Sequence, residues 1–324
     1  RMGNSNWRTQ GGSNAEVMIA DAYAKGMTGI DYNYALQAML KDAEVAPGGN
    51  EEAEGRGALD KYYKYGYIPY GTARAGTRTV EYSFDDYCIS QVARGLGQND
   101  VADRYSKQAE NWKNLWRDGY VNDGTSGFIM PRDENGQWMD YVPYGHSQLD
   151  QRQFLYTPDV SYEGPWYVAW WDCFFYEASS WEYSFSIPHD IEGLIAKCGG
   201  NNSFDKRLNT FFDNGYYNVT NEPSFLTPCL YHWIGKPELS SQRVIDIINN
   251  NYDDSPDGIP GNDDSGSMSS WLAFHMLGLY PNAGQNYYLM HEPMVKIVNP
   301  GTSSTDTKVE VVKDGSLAGN AVTM

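Results

Sequence analysis

The sequence predicts a mainly α chain, a helical toroid or solenoid that closes in a few strands. Three observations carry that reading. Apolar residues recur at spacings of three and four through most of the chain. The helical stretches come as hairpins joined by Gly- and Pro-rich loops, with no strand pattern between them. After "LYPN" the period changes, and "MVKIVNP" and "TKVEVVKDG" alternate as strands do.

The elements follow in order. "NAEVMIADAYAKGM" and "DYNYALQAMLKDAEV" form a helical pair with Gly26 and Gly29 between them, and "APGGN" ends the second. "GALDKYYKYGY" is a short helix closing at a glycine. In "TVEYSFDDYCISQVARGLG" the residues Val80, Phe84, Tyr87, Cys88, Val92 and Leu96 define one face, and Gly97 stops it. "DVADRYSKQAENWKNLWR" places Ala102, Tyr105, Ala109, Trp112 and Trp116 along another. The stretch "DGTSGFIMPRDENGQWMDYVPYG" reads as loop. A strongly aromatic segment follows, and "HDIEGLIAKCGG" resumes a helix. "EPSFLTPCLYHWIG" and "PELSSQRVIDIINNNY" make a further hairpin, and "SMSSWLAFHMLGLY" is the last helix. The count is roughly eight to ten helices with long loops, and long loops in a compact domain usually carry function. No repeat of fixed period is present.

With 324 residues, 41% apolar and 15% aromatic, the chain can bury a sizeable core. A net charge of -18 argues against nucleic acid and against anionic membrane surfaces. No run of about 18 apolar residues suggests a membrane-spanning helix. The start at Arg1 and the end at "GNAVTM" read as the bounds of a piece of a longer protein. Cys88, Cys173, Cys198 and Cys229 show no zinc-ligand spacing. Buried free thiols are expected, with disulfides the alternative in an exported protein. Asn201 and Asn218 fit the glycosylation acceptor pattern.

The stretch "GIPGNDDSGSMSSW", residues 258 to 271, puts Asp263 and Asp264 just before a helix. A carboxylate at that entrance meets free backbone N–H groups and the positive end of the dipole, which favours its ionised form. Asp264 is thus a candidate general base, or simply an N-cap. Asp253, Ser255, Asp257, Gly258 and Asp264 also fit five positions of a calcium loop, although the last ligand of such loops is usually Glu. In "FFYEASSWEYSFSIPHD" the carboxyl of Glu177 is surrounded in sequence by Phe174, Phe175, Tyr176 and Trp181. Rings closing over it would raise its pKa, as a general acid requires. Glu182 is a second candidate, and both could equally be surface residues beside core rings. "NEPS" holds Asn221 and Glu222 in extended backbone ahead of a proline, with oxygens suited to a hard cation. Ten tryptophans and 26 tyrosines offer flat faces for sugars, though most serve a core.

Taken together these stretches resemble the calcium-dependent exo-acting alpha-mannosidases of glycoside hydrolase family 92. "GIPGNDDSGSMSSWLAFHMLGLYP" is similar to the family's G-x-P-G-N/D-x-D-x-G-x-M-S-x-W block. "YEASSWEYSFSIPHDIEGLI" is similar to its E-G-N-A-W-Q-Y-x-x-x-V-P-H-D-V-x-G-L-I block, and "NEPSFLTPCLYHWIGKP" to a third. "VEYSFDDYCISQVARGLG", "GFIMPRDENGQW" and "VMIADAYAKGM" with "AMLKDAEV" match further blocks in order, so the resemblance covers roughly residues 8 to 290.

The resemblance implies an (α/α)6 catalytic domain over residues 1–284, its first helices missing. Residues 285–324 would be a strand segment of a β-sandwich region mostly absent here. It implies an N-terminal β-sandwich of the same protein as partner, an extracytoplasmic location and a mannose-containing glycan as substrate. By position, Glu177 corresponds to the general acid and Asp264 to the base that activates water. Asn221 and Glu222 fall in the region that helps to hold calcium, which would grip the mannose O2 and O3. The same blocks supply Trp181, Glu182, His189, Asp190, Asn262 and Asp263 as candidate sugar-binding residues. The chain departs from the family at Asn14 and Glu16 (for H-x-D), at Ala178, Ser179 and Ser180 (for G-N-A), at Glu182 (for Gln), at Asn262 (for Asp) and in "PELSSQ". Several of these lie where leaving group or linkage is read. The alternatives are a non-catalytic sugar-binding relative, or an (α/α)6 glycosidase or phosphorylase acting on another sugar or on a mannose phosphodiester.

Overall fold

A computed structural model describes residues 14–47, 55–143, 153–160 and 174–294, together with the backbone of 321–323. Two compact units divide at Asp190 and Ile191. The boundary expected at 284/285 falls inside a strand hairpin of the second unit. Cys173 and the strand patterns of "MVKIVNP" beyond Met294 and of "TKVEVVKDG" lie outside the described residues.

The first unit opens with α1 (Ala15–Ala24), α2 (Tyr32–Glu44), α3 (Leu59–Tyr65), α4 (Ala75–Gly95) and α5 (Asn99–Gln108). α2 starts where Asp31 accepts a hydrogen bond from Tyr34 N, a side-chain N-cap. α4 is the axis of this unit. It packs against α1, α2 and α5, and Ile89, Val92 and Ala93 interleave there with Leu36, Met39, Ala102 and Tyr105. A helix buried on so many sides loses the one-sided polar pattern of a surface helix.

Charges are buried beside that core. The Arg56 guanidinium donates to Asp86 (2.6 Å) and to Glu16 (3.3 Å), and lies 3.9 Å from Asp85. Tyr62 donates its hydroxyl to Asp86 (2.9 Å). Among the described residues the Arg56 guanidinium thus faces three buried carboxylates. Burial, reinforced by Asp85, pushes Glu16 up to about 8.

The helix expected to run through Trp112 and Trp116 ends earlier. After α5 comes a 3-10 turn (Asn111–Leu115), then the antiparallel hairpin β1 (Trp116–Asn122) and β2 (Thr125–Ile129). Its two-residue turn is Asp123-Gly124, both at positive φ (47° and 68°), the arrangement whose twist matches paired strands. Trp116 reaches across to Gly127, where an added Cβ would sit 2.5 Å from the indole. A second small hairpin pairs β3 (Tyr141–Pro143) with β4 (Gln153–Leu155). The unit ends with α6 (Ser180–Tyr183).

The second unit contains α7 (Ile191–Lys197), α8 (Asn201–Asp213), 3-10 turns at Glu222–Ser224 and Thr227–Ile234, and α9 (Pro237–Asn251). A 3-10 turn at Asp264–Gly266 then leads into α10 (Ser267–Met276). α8 begins at the tract read from the sequence only as a glycosylation pattern. Phe204, Leu208 and Phe211 are its buried stripe. "EPSFLTPCLYHWIG" forms two 3-10 turns rather than one helix, with Pro223 and Pro228 each in the first turn of its own segment. β5 (Leu279–Pro281), β6 (Tyr287–Met290) and β7 (Ala321–Thr323) form an antiparallel sheet in that order. Cys88, Cys198 and Cys229 are buried free thiols.

Candidate active site

The candidate acid and base lie in different units. In the first, Glu177 is half-exposed while Phe174, Phe175, Tyr176 and Ala178 around it are buried. Its φ is 54°, a left-handed conformation that L-residues adopt only where their surroundings enforce it.

Those surroundings are local on the C-terminal side. Ser179 caps α6, and Glu182 returns the bond: the Glu182 carboxylate accepts from Ser179 N (2.8 Å) and from the Ser179 hydroxyl (3.0 Å). This is a capping box two residues beyond the candidate acid. Glu182 is buried and engaged in holding that turn. Trp181, a candidate sugar-binding residue, is placed in the interior. It is wholly buried, donates its indole N–H to Asn122 Oδ1 (3.0 Å) and meets Phe128 edge-on. Its size makes it the centre of a local core. His189 stacks on Phe84 (5.7 Å, 12°), and its Nε2 lies 2.9 Å from the Ala109 carbonyl. Burial lowers its pKa to about 4, so the ring is neutral. Asp190 pairs with Lys113 (2.8 Å). Both are engaged with the α5 end of the unit.

In the second unit, sequence-distant loops meet. The Glu222 carboxyl is raised by burial and by the nearby Asp264 carboxylate, with Ser267 working the other way. Gly261, at φ 74°, lies so close to Thr220 that a Cβ would sit 2.9 Å from the threonine Cβ. Trp271 of α10 donates to the Phe225 carbonyl (3.1 Å) and stacks on Tyr252 (5.9 Å, 13°). The Thr220–Gly261 and Phe225–Trp271 contacts join 220–225 to 261–271, bringing Asn221, Glu222, Asn262, Asp263 and Asp264 to one place. Asn221 is buried, Glu222, Asp263 and Asp264 are half-buried, and Asn262 is exposed.

The capping role falls to Asp263 rather than Asp264. Asp263 Oδ1 accepts from Ser269 N (2.9 Å) at the third position of α10, and its carbonyl accepts from Gly266 N and Met268 N. Hydrogen bonding holds the Asp263 carboxyl below the ordinary range. Asp264, by contrast, is raised, first by burial and then by Asp263. The helix end expected to meet Asp264 is occupied by the adjacent Asp263 carboxylate. Asp264, Ser265 and Gly266 have φ of 47°, 60° and 99°. Asn262 Oδ1 accepts from Asp264 N (3.1 Å). Among the described residues no donor reaches the Asp264 carboxylate.

The calcium-loop reading of residues 253 to 264 has a different structure. Asp253 Oδ1 accepts from Ser255 N (2.8 Å), and Asp253 N donates to the Gly258 carbonyl (3.0 Å). Gly258 is required because a Cβ would meet the Asp253 carbonyl at 2.1 Å. Its carbonyl and the Asp253 carboxylate are therefore spent within the turn. Among the described residues no group of three or more His, Cys, Asp or Glu side chains is gathered as a metal centre. The Asn221 amide oxygen and the mutually repelling Glu222 and Asp264 carboxylates are nonetheless the donor types a hard cation takes. Sequence patterns missed Thr220, Gly261 and Ser267 here, since only the approach of the two loops gives them a role.

The profile described as "Glycosyl hydrolase family 92 catalytic domain" matches residues 1–320. An uncharacterized secreted glycosidase of Arthroderma benhamiae is 39% identical over 319 residues, which is 92% of this chain and 39% of that protein. A family GH92 alpha-mannosidase of Bacteroides thetaiotaomicron, solved with mannoimidazole, superposes with a TM-score of 0.70 at 28% identity, covering 87% of this chain and 35% of its own. A GH92 inverting mannosidase from the same organism gives 0.71 at 26%, covering 88% and 38%. The chain thus spans well under half the length of these relatives. Its mainly α elements match theirs, which puts it in the helical-toroid fold class expected from the sequence.

Proposed function

This chain belongs to glycosyl hydrolase family 92, and on that premise we propose that it carries the acid and the base of an enzyme that removes terminal alpha-linked mannose from glycans with inversion. The observation that carries the proposal is the division of labour between adjacent aspartates. Asp263 caps α10, and among the described residues no donor reaches the half-buried Asp264 carboxylate, which in this reading is available to a water molecule.

In this reading Glu177 gives its proton to the departing glycosidic oxygen. Asp264 takes a proton from a water that attacks the opposite face of the sugar. Room for that water requires the two carboxyl groups to stand roughly 6.5–9.5 Å apart, against about 5 Å for a retaining pair. The upward shift of Asp264 sets the pH above which the base works. Asn221 and Glu222 would hold calcium, which supplies a template for the sugar hydroxyls. A β-sandwich elsewhere in the same protein would complete the cavity. The secreted relative supports an extracytoplasmic location. Among the described residues no helix is long and apolar enough to cross a membrane.

The test is digestion of alpha-linked mannobiose by the full-length protein, followed by NMR with and without a chelator. The expected result is β-mannose as the first product, lost with chelator and restored by calcium. First release of α-mannose would overturn inversion. Chelator-insensitive turnover would overturn the calcium requirement, and binding without release would make the protein a sugar-binding relative.

A further inference from the structure

We infer that the N-terminal turn of α4 positions the candidate acid, with Thr77 as the positioning residue. The inference rests on the proposed role of Glu177 and concerns the first unit alone.

α4 begins without a side-chain cap of its own, since Arg74 at its N-cap makes no such bond. The first backbone N–H groups of a helix need partners. Here the partner comes from far along the chain: Gly76 N donates to the Phe174 carbonyl (2.9 Å), and Thr77 N does so more weakly (3.4 Å). The Thr77 hydroxyl, which could have served its own helix, accepts instead from Tyr176 N (2.8 Å). The segment 174–176 therefore caps α4, and α4 in return fixes the backbone one residue before Glu177. The Arg74 guanidinium lies 5.1 Å over the Tyr176 ring and adds a third tie.

The side chains repeat the lock. A Cβ on Gly76 would meet Phe174 and Phe175 each at 2.6 Å. Phe175 is in turn stacked on Tyr183 of α6 (4.7 Å, 9°). Glu177 thus sits between two anchors, the α4 turn on one side and the Ser179–Glu182 capping box on the other. Only the second is local in sequence. A strained residue held at both ends has its Cα–Cβ direction set by those ends, and that direction limits where its carboxyl can reach. Proton donation depends on that direction, because the acid must come within hydrogen-bonding reach of the leaving oxygen.

The readout follows from the chemistry. A poor leaving group needs the proton, whereas an activated aryloxide leaves with little help. Thr77→Val keeps the shape and removes the acceptor of Tyr176 N. The expected result is a kcat loss of about tenfold on mannobiose, a fraction of the roughly 10²–10⁴-fold that a general acid supplies. The loss on an activated aryl mannoside should be several-fold smaller, KM should stay close to wild type, and Thr77→Ser should recover the loss. Gly76→Ala, which presses on both rings, should give the same leaving-group signature if the valine variant does not fold. Glu177→Gln is the control that separates the two layers. If Glu177→Gln shows the leaving-group dependence and neither Thr77→Val nor Gly76→Ala does, the positioning role is overturned and the acid assignment stands. If Glu177→Gln shows none, the acid assignment falls and takes the positioning role with it. Equal losses on both substrates would mean that the α4 turn merely supports the fold.

Discussion

The buried charges around Arg56 yield a prediction with a definite sign. Glu16 is buried with Asp85 and Asp86 around the Arg56 guanidinium, and burial of a carboxyl favours its protonated form. Glu16 retains its proton, its carboxyl pushed to about 8 from an ordinary 4.5 by burial and by Asp85. A folded-state pKa above the unfolded one contributes stability that is complete below about 4.5 and is lost as pH rises toward 8. At about 1.4 kcal/mol per unit, the loss across that window is of the order of 4–5 kcal/mol. Glu16→Gln is the neutral isostere of the protonated form and does not titrate. The variant should match wild type near pH 5 and gain on it steadily, becoming more stable by several kcal/mol at pH 8. Urea unfolding midpoints from pH 5 to 8, with the slope m held common, measure this directly. A variant that is instead less stable than wild type at pH 8 would mean that Glu16 is ionised and paired with Arg56, and the reasoning would fail.

Three further outcomes follow from the second unit. Asp264→Asn should lower turnover on every substrate by about 10²–10⁴-fold, and a loss confined to poor leaving groups would reassign it. Asp263→Asn removes the charge that helps to raise Asp264. Since a base acts above its pKa, the acid limb of kcat/KM should move to lower pH; an unmoved limb would detach Asp264 from it. Gly261→Ala puts an L-residue at φ 74° against Thr220. It should cost about 1–2 kcal/mol of stability from the backbone alone and lower kcat about tenfold or more by parting the loops, as a thermal melt with parallel kinetics would show.

What the sequence determined by itself was local or collective in a simple way. The periodicity of α1, α2 and α10 and the glycine stops depend on residues within a turn of one another, so a linear pattern holds them. The ordered blocks around Glu177, Glu222 and Asp264 identified the family for the same reason, as runs of residues each legible in place. The tertiary structure decided what needed a partner far along the chain. Trp112 and Trp116 suit a helix face by spacing, but Trp116 is claimed by a hairpin because the Asp123-Gly124 turn brings Gly127 beneath its ring. Trp181 reads equally as a sugar platform or a core ring until Asn122 and Phe128 enclose it. Asp263 and Asp264 have the same chemistry and adjacent positions. Only the left-handed backbone from Asp264 to Gly266 turns one toward the helix N–H groups and leaves the other, among the described residues, without a donor, because a hydrogen bond is a matter of direction and a sequence holds none.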